Sequence, residues 1–305
     1  MSHSFLVIGS IAWDRVIPLD GDIFPGGRVT GEICVDPDSD LPAGRLGGGA
    51  ANAAAAWVNA GHTAYAYAPV SSDLDGDKII SAAAQIGIDT RYVQRIDLPS
   101  STTLVLIDRK GERTILRLHP KGRSSPPFDS LRFQMNGFDP TSLPPFDGVY
   151  VRSVLPGVQS ILQKTEMAHI LAQWPFRQGE GHIDAHTFVG SADDLMAKGI
   201  DPDDPWPVAV LQAGKRLRQV VITRGARGGT VFTANGDFDY SSPQIDQVDA
   251  TGAGDCFAAG LLEALSGKAP IQQAIRHAAQ WGAIAASRRE SSCTSTDCVY
   301  TAFTA

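Results

Sequence analysis

Short apolar runs of strand length alternate with helical patterns through most of this 305-residue chain, and that alternation leaves few folds open. Strand-like runs fall at Phe5–Ile11, Ala64–Val70, Gly148–Val154, His182–Phe188 and Val220–Thr223, and helical patterns at Ala50–Asn59, Asp77–Ile86, Gln159–Ala172 and Ala258–Leu265. Strands joined through helices pair in parallel, and the helices then cover both faces of the sheet. The expected fold is therefore α/β, a mostly parallel sheet with helices on both sides. Two stretches, about 14–45 and 99–120, break the alternation and read as extended segments with turns, one of them a hairpin around Arg109-Lys-Gly-Glu112. They predict a small β lid on a core made of 1–13, 46–98 and 121–305. The acidic stretch Cys34–Gly44 is expected to be a solvated loop.

With 43% hydrophobic and 19% charged residues the chain can bury a large core, as one large domain with an appendage. A net charge of −7 excludes the basic face of a duplex nucleic-acid binder. The first residues carry no cationic leader and no membrane-length apolar run follows, so a cytoplasmic protein without membrane contact is expected. Cys34, Cys256, Cys293 and Cys298 are scattered without zinc-site spacing and are expected as free thiols, Cys256 as a small buried filler.

Two glycine clusters each open onto a helical pattern. Asp249-Ala-Thr-Gly-Ala-Gly-Asp255 runs into Cys256–Leu265, and Leu46-Gly-Gly-Gly-Ala-Ala-Asn52 runs into an alanine-rich stretch ending at Gly61. Glycines permit left-handed turns, and the unpaired N–H groups of Gly252, Ala253, Gly254 and Asp255 can converge on an anion at the positive end of a helix dipole. A carboxylate at that spot, Asp255, is placed to take a proton from a hydroxyl beside the anion. The plain alternative for the Asp249–Asp255 cluster is a glycine turn with an Asp as helix cap.

These two segments, in this order and about 200 residues apart, resemble the two signatures of the ribokinase or PfkB family of carbohydrate and nucleoside kinases. Phe5–Asp14, Phe24-Pro-Gly-Gly-Arg-Val-Thr-Gly31 and Val220-Val-Ile-Thr223-Arg-Gly225-Ala-Arg-Gly228-Gly agree with it, so the resemblance covers nearly the whole chain. It implies an ATP-dependent kinase acting with Mg²⁺ on a hydroxyl, a primary one favoured, of a sugar or sugar derivative. Asp255 is then the general base and the Gly252–Asp255 amides the anion hole. Asp14, Gly48, Gly49 and Asn52 match positions that grip the sugar, and Arg152 at a strand end is within reach of the acceptor. Thr223, Arg224, Gly225, Gly228, Thr251 and Gly254 fall at nucleotide positions, with the helix around His277–Ala286 flanking adenine.

The match frays in two places. Ribokinase has a lysine where Gly49 stands, and the Asn-x-x-Glu that usually serves magnesium is absent. Asp193, Asp194 or Asp184 are the substitutes for magnesium. His182-Ile-Asp184-Ala-His186 also puts three potential metal ligands on one face if it is a strand. Asp249 and Thr251 match a monovalent-cation site, implying possible potassium activation, although Glu290 replaces the usual glycine. The expected partners are a small-molecule sugar or nucleoside and a second copy of the chain, a homodimer through the lid. A nucleoside kinase and a non-catalytic ligand sensor retaining the fold are the alternatives.

Overall fold

The computed structural model describes residues 2–38, 41–109, 113–118, 139–176 and 181–288. Fourteen strands occur among them: β1 (Ser4–Ile8), β2 (Ala12–Pro18), β3 (Gly44–Gly47), β4 (Thr63–Tyr67), β5 (Pro69–Ser71), β6 (Gln94–Ile96), β7 (Thr102–Ile107), β8 (Arg113–Leu118), β9 (Gly148–Val151), β10 (His169–Gln173), β11 (Thr187–Ser191), β12 (Gln219–Thr223), β13 (Gly229–Thr233) and β14 (Gly236–Tyr240). The helices are α1 (Gly49–Asn59), α2 (Leu74–Ile86), α3 (Val158–Lys164), α4 (Ala192–Ala197), α5 (Trp206–Gln212), α6 (Ala253–Ser266) and α7 (Ile271–Ala286).

Eight strands form one sheet in the order β14-β13-β12-β11-β10-β9-β1-β4. Those from β4 to β12 pair in parallel, and β13 and β14 add an antiparallel edge. Side chains of a strand alternate between faces, so β1 sends Phe5 and Val7 into one core with α1, α6 and α7, and Leu6 and Ile8 into another with α3, α4 and α5. The alanines of α1 let it lie close to α6, where the Trp57 indole N–H donates to the Ala259 carbonyl at 3.0 Å. The mostly parallel α/β fold is as expected. A second, four-stranded sheet, β3-β2-β7-β8, carries the predicted hairpin as β7 and β8.

Several elements differ from their sequence patterns. The run Gln159–Ala172 is not one helix: Thr165 turns its hydroxyl back onto the Ile161 carbonyl, α3 ends, and Ile170-Leu171-Ala172 is buried in β10. His182–Phe188 is largely irregular and the strand begins only at Thr187, because His186 Nδ1 accepts the Ile170 N–H at the sheet's margin. Pro69 divides Ala64–Val70, its second half pairing with β6 in a separate two-stranded sheet. Phe5–Ile11 and Gly148–Val154 both stop early, at Ile8 and Val151. The 34–44 segment is not simply solvated, since Asp36 is buried and accepts from Lys78 of α2 at 2.6 and 2.8 Å. Cys34 is free, but Cys256 is disulfide-bonded, which corrects the free-thiol expectation there. Cys293, Cys298 and Glu290 lie outside the described residues.

Candidate active site

The second glycine cluster forms a loop tied to the end of α7: the N–H groups of Val248 and Asp249 both donate to the Ala286 carbonyl, at 2.9 and 3.2 Å. Gly252 then takes φ +76°, a left-handed conformation that favours glycine, and α6 starts. Of the four amides expected to meet an anion, that of Ala253 closes a turn onto the Ala250 carbonyl at 3.2 Å. Gly254 and Asp255 keep first-turn N–H groups with no backbone acceptor among the described residues.

The Asp255 side chain is held on both oxygens. Asn52 in the first turn of α1 donates to Oδ2 at 3.0 Å, and Arg152 just past β9 donates through Nε to Oδ1 at 2.7 Å. Gly49 makes the second contact possible, since a Cβ there would lie 2.4 Å from Arg152 Nε and 2.7 Å from Asp255 Oδ1. The neighbouring carboxylate raises the Arg152 pKa above its ordinary value, outweighing the opposing effect of burial. Gly48, at φ +86°, begins α1, and a Cβ would meet the Ser10 carbonyl at 2.7 Å. Asp14 lies past the first strand, inside β2, level with Arg45 and Thr103. Its carboxylate lies against Gly47, 2.0 Å from where a Cβ would be. Asp14 and Asp255 thus flank one three-glycine turn.

On the far side of the α6 N-terminus lies a cavity of about 200 Å³. Thr223, Gly225 and Gly228 form one wall, Ala279, Gly282, Ala283 and Ala286 of α7 the other, and Ala253, Gly254 and Phe257 sit between. Gly228, at φ +84°, brings the wall within contact of β14, for a Cβ would meet the Tyr240 carbonyl at 1.9 Å. The Arg224 guanidinium donates to Thr230 at 2.7 Å and to Asp203 at 2.5 Å, and Arg224 is not among the residues that line the cavity. His277 likewise turns from the cavity, its Nε2 2.9 Å from buried Glu263. The Tyr240–Phe257 stack and residues 242–245 with Gln247, which also line the cavity, carried no glycine or charge signal in the sequence.

Among the described residues no three His, Cys, Asp or Glu side chains converge as a metal cluster. His186 Nδ1 is taken by the Ile170 N–H and Asp184 pairs with Arg216 at 3.2 Å, so the His182–Asp184–His186 grouping does not form. Asp193 and Asp194 open α4 at the carboxyl edge of β11, and Asp194 is near enough to act electrostatically on Arg152. Asp249 is buried, accepts the Thr251 N–H at 2.8 Å, and has Arg45 Nη2 3.8 Å from its other oxygen; the Thr251 hydroxyl is buried without a hydrogen bond.

A family model described as pfkB family carbohydrate kinase matches residues 43–122 and 206–297, which take in both glycine loops and the cavity walls. The chain belongs to the pfkB family of carbohydrate kinases. This pfkB kinase is therefore a phosphotransferase with an alcohol group as acceptor. A stretch of 70 residues, 21% of the kinase and 22% of its relative, is 43% identical to the aminoimidazole riboside kinase of Salmonella typhimurium, so the kinase spans about a fifth of that relative. Over 248 residues, 79% of the kinase and 80% of the relative, it is 24% identical to the ATP-dependent ribose-1-phosphate kinase of Halopiger xanaduensis. The ribokinase of Giardia lamblia shares its fold with a TM-score of 0.74 over 96% of each chain, at 17% identity. Among the described residues no helix is long and apolar enough to cross a membrane.

Proposed function

We propose that this kinase transfers the γ-phosphoryl group of ATP to a hydroxyl, a primary one favoured, of a sugar or sugar derivative in the cytoplasm. One observation carries the reading: Asp255 stands between the cavity and the three-glycine turn, with both oxygens fixed by Asn52 and Arg152. A base so oriented accepts the hydroxyl proton as the oxygen attacks phosphorus. The nucleotide occupies the cavity, its base against α7 and its phosphates beside Thr223, Gly225, Gly228 and the α6 N-terminus, with Thr251 in the loop behind them. Amides of Gly254 and Asp255 supply the anion contacts, and Gly252 gives the turn its hand. Asp14, Gly48, Gly49 and Asn52 shape the acceptor side.

Magnesium is bound by few carboxylates together with phosphates and water. Asp194, at the cleft edge, fits that requirement better than Asp193, and Asp184 does not fit it. The ion neutralises polyphosphate charge when bound. Asp249 already faces Arg45, which argues against a further monovalent cation at Asp249 and Thr251. Residues 14–45 and 99–120 act as the lid that keeps water from the reacting phosphoryl, and the exposed Ile115, Leu116 and Leu118 of β8 offer a homodimer surface.

The test is ADP release from ATP and Mg²⁺ across pentoses, hexoses, sugar acids, sugar phosphates and nucleosides, beside Asp255→Asn. Turnover on one sugar that the variant loses supports the reading, turnover confined to nucleosides moves the acceptor class, and variant turnover equal to wild type removes Asp255 from its role.

A further inference from the structure

Arg152 does more here than a strand-end arginine needs to. Its backbone N–H still donates to the Ile8 carbonyl at 2.8 Å, so its Cα is fixed by the central strands. Its side chain is 34% exposed, and among the described residues its one hydrogen-bond partner is Asp255, reached through Nε. A guanidinium carries five N–H donors in a planar fork. The four on the two terminal nitrogens are not among the buried groups lacking partners, so they open to the cleft. Gly49 clears the space in which this group lies.

The place of that fork limits what it can meet. A hydroxyl giving its proton to Asp255 stands about 3 Å from the carboxylate, and the phosphorus it attacks starts about 3 Å further on. The fork begins on the same carboxylate and extends roughly as far as that phosphorus. An anionic group on the acceptor lies several bonds from the reacting hydroxyl and falls outside this reach, whereas the oxygens of the moving phosphoryl fall within it. Those oxygens carry the charge that spreads in the transition state.

We propose that Arg152 is a catalytic residue whose terminal N–H groups bind the γ-phosphoryl oxygens of ATP. The inference rests on the reading of Asp255 as base. In the step it serves, the acceptor oxygen forms a bond to the γ-phosphorus and its proton passes to Asp255. The bond from that phosphorus to the β,γ-bridging oxygen breaks, and ADP leaves with the electron pair. Arg152 donates hydrogen bonds throughout and transfers nothing. Its contact to Asp255 sets the base and the phosphoryl group on one rigid planar group, coupling their positions.

Calorimetric titration with ADP and with the non-hydrolysable analogue AMP-PCP, both with Mg²⁺, tests this without a known acceptor. Arg152→Ala is expected to leave the ADP dissociation constant within about twofold and to weaken AMP-PCP about tenfold, with Arg152→Lys in between. The same pair of titrations in an Asp255→Asn background separates direct contact from repulsion by an unpaired carboxylate. A preferential AMP-PCP loss that persists there supports the contact. A loss that vanishes there, or one equal for ADP and AMP-PCP, overturns it. Wild type that binds neither nucleotide overturns the kinase reading and this inference together; wild type that binds both, with Arg152→Ala unchanged, overturns this inference alone.

Discussion

Because Asn52 and Arg152 hold separate oxygens of Asp255, the carboxylate is oriented before any acceptor arrives. Asp255→Asn keeps the shape and is expected to lower kcat by roughly 10²–10⁴ with a small change in ADP affinity, read by steady-state kinetics beside titration. Gly49→Ala tests the space rather than the charge. The added methyl meets Arg152 Nε and Asp255 Oδ1, side-chain atoms that can shift, so kcat should fall by about tenfold or more while the melting temperature stays near wild type. A large drop in melting temperature would show instead that Gly49 is needed for the backbone. Asn52 and Asp255 each stand out in the sequence as a polar side chain in the first turn of a glycine-led helix, yet nothing local shows that they touch across 203 positions. The pairing of Arg224 was hidden for a related reason: its partners Asp203 and Thr230 are ordinary residue types, Thr230 brought beside it by the β12–β13 pairing and Asp203 by the turn before α5.

Between elements, the small sheet is fastened to the large body by charge pairs on α2. Arg15 of β2, only 1% exposed, donates twice through Nη2 to Asp75, at 2.9 and 3.0 Å, and Lys78 reaches back to Asp36. Asp75→Ala strands a buried guanidinium, so a loss of about 3 kcal/mol in unfolding free energy is expected. Adding Arg15→Met should recover much of it, and denaturant titration showing no recovery would rule out the unpaired charge as the cause. A second link, Arg45 of β3 to Asp249, places a fixed cation at the loop before α6. Initial rates should accordingly be equal in potassium and sodium buffers, and a severalfold potassium stimulation would disprove that role for Arg45. Long periodic elements such as α6 and α7 were legible because a helical stripe survives one-residue errors. Residues 159–172 were misread because a fully buried parallel strand carries no alternation, and a continuous apolar run fits either a strand or a buried helix.

At the scale of the molecule, two partly buried imidazoles meet at the margin of the parallel sheet: His186, read in the sequence only as a possible metal ligand, and His169, which had no part in that argument. The His169 and His186 rings lie 4.8 Å apart, tilted by 31°, beside β10 and β11, with His169 Nε2 3.0 Å from the Thr187 hydroxyl and His186 Nδ1 accepting the Ile170 N–H at 2.9 Å. Burial, helped by the neighbouring imidazole and Arg218, pushes the His169 pKa down to about 3, and burial, helped by Arg218 and Arg216, pushes the His186 pKa down to about 4. In the unfolded chain both titrate near 6.5, so below that pH the unfolded state binds protons that the folded state refuses. Stability is therefore fully present above about pH 6.5 and is lost as pH falls toward 4, at up to about 1.4 kcal/mol per pH unit for each imidazole. The melting temperature should decline across that window, above the range in which Asp36 and Asp73, with lowered pKa values, begin to take up protons. Replacing both groups, as His169→Gln with His186→Asn, keeps hydrogen-bonding capacity without the titration and should flatten the decline between pH 6.5 and 4.5. An unchanged slope in the double variant would mean that acid sensitivity is set elsewhere in the molecule, not by the imidazoles at the sheet's margin.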